Sequence, residues 1–113
     1  MAWALPKAVT VGHLDIEIVR MTKEQSDTEN ALGKWDDVAC IIYVLETLPP
    51  PRQAEVLLHE LLHACYLNFQ ISPRWGEEKT CDGFALALSS VIRHNPDLFP
   101  KLGKALAKLE PTE

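Results

Sequence analysis

The stretch Val56-Leu57-Leu58-His59-Glu60-Leu61-Leu62-His63-Ala64-Cys65 sets an H-E-x-x-H motif in an apolar run that no charge or proline interrupts apart from the motif's own residues. On a helix, positions four apart lie about 40° apart around the axis and one turn along it, so His59 and His63 project from one face at a separation that one metal ion bridges. Glu60, one position from His59, lies to the side of that axis, where a carboxylate reaches a water held by the metal without itself being a ligand. A surface helix carrying two histidines by chance normally shows Lys or Glu at several of the neighbouring sites. Here the polar residues are those that metal chemistry requires, in a helix that reads as buried. The plain alternative is a core helix whose histidines bond backbone carbonyls. A buried His-Glu-His cluster, however, needs a charge partner, and a metal ion is the simplest one.

Length and composition point to a single domain over 1–113: with 113 residues and 47% apolar content, the chain supports one core and is too short for two. Net charge is -5 with the acidic residues dispersed. No Lys/Arg run interleaved with aromatics suggests a nucleic-acid face. The N-terminal residues show no charged region followed by a long apolar segment, so no signal peptide is expected. The longest apolar stretch, 38–45, falls far short of the roughly 20 residues of a membrane span. Cys40, Cys65 and Cys81 lack C-x-x-C spacing and read as reduced core residues, so a cytoplasmic location is expected. Cys65, two positions past His63, points elsewhere on the helix.

Outward from the motif, Val9 and Val11 alternate up to a turn at Gly12-His13, and Leu14, Ile16 and Ile18 alternate with Asp15, Glu17 and Val19 as a half-buried strand. The polar segment 22–30 has no clear period and reads as a loop or one frayed helical turn. Gly33 opens the next section, and 38–45, rich in β-branched and aromatic residues, reads as a well-buried strand. Pro49-Pro50-Pro51 excludes strand pairing and helix interior but suits a helix start, so the motif helix is predicted over 52–68. Ile71-Ser72-Pro73 and Gly76 mark a loop. A second helix is predicted over 77–94, with Cys81, Phe84, Leu88 and Val91 or Ile92 at core spacing, stopped by Asn95-Pro96. A short amphipathic helix with Leu102, Ala105, Leu106 and Leu109 closes the chain. Trp3, Trp35 and Trp75 are candidates for an exposed apolar patch.

A catalytic zinc site takes three protein ligands and leaves a position for water, so the two histidines need a third. Candidates are Glu77, Glu78, Asp82, His94, His13 and the cysteines. His94 lies sixteen residues past Glu78, about 24 Å along one helix at 1.5 Å per residue, so the two cannot share an ion. Glu77 and Glu78 open the second helix, where an antiparallel return brings them beside His63. An acidic first turn is also what the helix macrodipole favours by itself, and one of the two fits that reading. Glu78 has the further advantage of Asp82 four residues on, which can accept the second ring proton of a ligand histidine and orient it. Glu78 is therefore favoured, with Glu77 the alternative.

The motif together with Glu78-Lys79-Thr80-Cys81-Asp82-Gly83-Phe84-Ala85 resembles the gluzincin pattern of thermolysin-type zinc metallopeptidases, and the chain is similar in size and order to minimal gluzincins, the small zincin-like proteins of phages and prophages. The likeness covers roughly 41–95. It implies an α+β fold: a small N-terminal antiparallel or mixed sheet packed on the active-site helix, a glutamate-bearing second helix, and a short C-terminal helix. It implies a Zn2+ ion held by His59, His63 and Glu78, with Asp82 behind a ligand and Glu60 as general base for hydrolysis of a peptide or protein substrate. A phage origin would place it in the host cytoplasm. Two departures stand out. The gap from His63 to Glu78 is shorter than in the large peptidases, which implies a missing lid subdomain. No clear counterpart exists for their oxyanion-donating histidine or tyrosine; Tyr66, Arg74 and Trp75 are candidates by position. The strand over 40–45 is either the edge on which an extended peptide pairs or a central core strand. The alternative function is a zinc-binding pseudoenzyme or regulatory module of the same fold.

Overall fold

A computed structural model describes residues 4–72, 74 and 76–107. Eight elements follow in order: β1 (Ala8–Val11), β2 (Leu14–Met21), α1 (Lys23–Glu29), β3 (Gly33–Asp36), β4 (Ile41–Leu45), α2 (Pro50–Asn68), α3 (Glu77–His94) and α4 (Leu98–Leu106). The strands form one mixed sheet in the order β1-β2-β4-β3. β1 and β3 pair antiparallel with their neighbours, while β2 and β4 run parallel, with Ile18 opposite Ile42. The α+β class with a small mixed sheet is as expected from sequence. So are β1, β2, the two long helices and the short C-terminal one; α2 starts at Pro50, two residues before the expected 52, and α3 stops at Asn95.

The period-two pattern puts Val9, Val11, Ile16, Ile18, Ile42 and Val44 on one face of the sheet, all buried. α2 lies on that face through Ala54, Leu57, Leu61, Ala64 and Cys65, with α4 against its flank and α3 reaching β1. Leu57 and Leu61 are at most 1% exposed, so each contributes about 1.5–3 kcal/mol of apolar burial. α2 is amphipathic, not buried all round as its composition suggests. Arg52, Glu55, His59, Leu62, His63, Tyr66 and Leu67 occupy its open side.

Four further expectations are corrected. Residues 22–30 hold a complete helix, α1, because Thr22 and Gln25 form a reciprocal capping box and Asn30 closes it in the left-handed region at φ 55°. Of 38–45 only 41–45 is strand. Asp36 Oδ1 accepts from the Val38 and Ala39 N–H groups, Cys40 turns at φ 61°, and Val38 is 93% exposed. That turn pairs β4 with a strand that sequence periodicity missed, β3, so β4 is interior and β3 is the edge. On α3 the core positions are Ala87 and Val91, with Phe84 and Leu88 half-buried; Ile92 and Cys81 are exposed, Cys40 is half-buried, and Cys65 alone of the three cysteines is a core residue. Trp35 is half-buried; Trp3, Trp75 and Leu109 lie outside the described residues.

The two edges of the sheet are treated differently. At β1 the Thr10 N–H donates to Asn95 Oδ1 (2.8 Å), and Asn95 Nδ2 donates to the Thr10 and Val91 carbonyl oxygens (2.7 and 2.8 Å). One side chain thus seals an edge strand and the end of α3 together. Asn95→Ala removes three partly buried hydrogen bonds and is expected to cost about 2–3 kcal/mol, read from urea unfolding. At β3 the Leu45 N–H donates to the Leu32 carbonyl (2.9 Å). By the alternation of an antiparallel ladder, the Gly33 and Trp35 backbone groups then face the open edge.

Candidate metal centre

His59 and His63 stand one turn apart on the open side of α2 because the buried stripe of Leu57, Leu61 and Ala64 turns them outward. Their Nε2 atoms are 3.2 Å apart, with the rings edge-on at 75° and centroids 4.9 Å apart. Two nitrogens bound to one tetrahedral zinc at about 2.0–2.1 Å lie about 3.3–3.4 Å apart, so the pair already has a zinc-sized bite. Glu60 takes the other side of the helix shoulder. It is 9% exposed and has no hydrogen bond or ion pair among the described residues.

Two hollows flank the histidines. A groove of about 630 Å³ runs along α2 under the open edge, between Ala31-Leu32-Gly33 and the stripe Arg52, Glu55, Val56, His59 and Glu60. From Arg52 to Leu62 it spans about 15 Å of helix. At its far end Arg52 pairs with Glu55 at 2.9 Å. A smaller hollow of about 290 Å³, almost wholly apolar, lies between His59, Leu62, His63, Tyr66 and Phe84. Leu62 borders both. Sequence reasoning did not find the groove, since β3 carries no apolar alternation.

The remaining candidates are spread out. Glu77, Glu78 and Asp82 are exposed on α3, and no group of three His, Cys, Asp or Glu side chains is gathered around one point among the described residues. α3 meets the histidine face at Phe84. Seven residues before Phe84, Glu77 lies within about 20° of the same face, whereas Glu78 lies about 120° round and shares its side with Asp82. His13 is exposed in the β1–β2 turn, and His94 Nδ1 donates to the Ser90 carbonyl oxygen at 2.9 Å. Tyr66 is beside the pair as expected; Arg74 is exposed and Trp75 lies outside the described residues.

Burial pushes the Cys65 thiol up from 9.0 to about 11, so it is a poor thiolate and a poor ligand. The unfolded thiol ionises first, so this contribution to stability is present below pH 9 and lost as pH rises through about 11. Alkylation with iodoacetamide at pH 8 is expected to label exposed Cys81 promptly and Cys65 only after denaturation, as read by peptide mass spectrometry.

No known family, curated protein or solved structure matches the chain. No helix among the described residues is long and apolar enough to cross a membrane.

Proposed function

We propose that this chain is a zinc-dependent metallopeptidase of minimal gluzincin type, with zinc held by His59, His63 and Glu78 and with Glu60 as general base. The observation that carries this reading is the 3.2 Å bite of the two imidazoles on an open helix face, with a buried carboxylate at the next position. Zinc there would supply Lewis acidity, lowering the pKa of a water towards about 7 and polarising a scissile carbonyl. Glu60 would act as the general base, taking up a proton at its carboxylate and returning it to the leaving amine. Asp82 would accept a hydrogen bond from the ring N–H of a ligand histidine and fix its tautomer.

The groove supports a peptide as substrate. Its 15 Å or so accommodates four or five residues of extended chain at about 3.3 Å each. The Gly33 and Trp35 backbone groups offer the pairing that strand addition needs, and the opposite edge is closed by Asn95. The strand that would receive the peptide is β3, since 40–45 falls to the second of its two readings, a central strand. A zinc-binding module that holds a partner protein without cleaving it is the second reading. It draws on the scatter of the acidic residues on α3, which leaves the two histidines without a third donor among the described residues. Digestion of casein or a peptide library with zinc, with chelator, and with Glu60→Gln separates the two: cleavage abolished by chelator and by the substitution supports the peptidase, and zinc uptake without any cleavage supports the module.

A further inference from the structure

β3 passes over the shoulder of α2 that carries Glu60, and it does so at a glycine. A Cβ added at Gly33 would lie 2.5 Å from Val56 Cγ1, 3.0 Å from the Tyr43 carbonyl oxygen and 3.4 Å from Glu60 Cγ. The first distance is one that real Cβ atoms essentially never show, the second is tight enough that strand and neighbour must part by a few tenths of an ångström, and the third is ordinary contact that places the stem of the candidate base beside Gly33. Val56 is 7% exposed and belongs to the core cluster. Tyr43 belongs to the interior strand β4, whose carbonyl is fixed by the sheet. The edge strand itself is the part free to lift.

Glu60, meanwhile, has no polar partner among the described residues to hold its carboxylate. Its direction is set by the surfaces around its methylenes, and Gly33 lies on one side of them. We infer that Gly33 is a positioning residue for Glu60: the missing side chain lets the edge strand sit low on α2, beside the methylene stem of Glu60, and form the roof of the groove. The catalytic consequence rests on the peptidase reading above; the positioning of Glu60 does not.

The test is the pair Gly33→Ala and Gly33→Ala/Val56→Ala, the second relieving the tightest contact from the helix side and measured against Val56→Ala alone. Three readouts are taken on the full chain: zinc affinity, kcat and KM on a cleaved peptide, and the 13Cδ resonance of Glu60, assigned by its disappearance in Glu60→Gln. A displacement on the order of 1 Å at a reacting group costs about 100-fold, so Gly33→Ala is expected to lose about 100-fold in kcat. KM and zinc affinity should stay within about threefold, because the ligands and the uniform binding contacts remain. The Glu60 resonance should shift in Gly33→Ala and move back in the double variant, with at least about tenfold recovery of kcat relative to Val56→Ala. Should Gly33→Ala fail to fold, Val56→Ile crowds the same contact from the other side and is expected to shift the resonance in the same direction. An unmoved Glu60 resonance in a folded Gly33→Ala overturns the inference, as does a kcat within about threefold of the unaltered chain or loss of zinc in step with activity. If the unaltered chain cleaves no peptide, the peptidase reading falls and the resonance alone decides the role of Gly33.

Discussion

Glu60→Gln is expected to bind zinc as tightly as the unaltered chain and to cleave peptides about 10²–10⁴-fold more slowly. Gln has nearly the shape of Glu, so the packing of the stem near Gly33 persists. What disappears is the basicity. The residue is the buried neighbour of two exposed histidines and does not share their face, because a one-residue step turns the helix by about 100°. A group so placed can reach a water on the ion without displacing either imidazole. Metal stoichiometry by elemental analysis and turnover of a fluorogenic peptide make the comparison. Turnover that survives would remove Glu60 from its role as base. Zinc lost together with turnover would make Glu60 a ligand and undo the division of labour assigned to the motif.

How far the sequence could be read follows from where each element's constraints come from. α2 was legible because two independent signals agree: three prolines fix its start and the apolar run fixes its type. β2 was legible because one face is buried and the other is wet, so Ile16 and Ile18 alternate with charges. β3 was not. All four of its residues are half-buried, and Gly33 is dictated by the approach of α2, a contact between segments more than twenty positions apart. An edge strand over a groove has no reason to alternate. α1 was hidden for the opposite reason. Only Ser26 in it is buried, so it has no apolar period, and its sole local signal is the Thr22–Gln25 box. The chemistry-bearing face of the site was therefore readable from one helix, while the roof of the groove was legible only in three dimensions.

His59→Ala is expected to weaken zinc binding by well over about 100-fold, since altering even the hydrogen-bond partners behind a ligand costs 10–100-fold and this change removes the ligand itself. The consequence for stability is calculable. A ligand present at a hundred times its dissociation constant stabilises the fold by about 2.7 kcal/mol, which raises Tm of a domain this size by roughly 10 °C. Zinc should therefore lift Tm of the unaltered chain by about that amount and leave His59→Ala unmoved. The same titration chooses the third ligand. Likeness to the gluzincin pattern, with Asp82 on the same side, favours Glu78; helical phase relative to Phe84, the residue of α3 that borders the histidines, favours Glu77. We expect Glu78→Ala to lose more of the zinc-dependent rise than Glu77→Ala, because its partner Asp82 adds orientation that Glu77 lacks. Equal losses would overturn the choice of Glu78, and the reverse order would move the ligand to Glu77, on the face of α3 that carries Phe84. No zinc-dependent rise in the unaltered chain would leave the two imidazoles bonded to each other and remove the metal from the site.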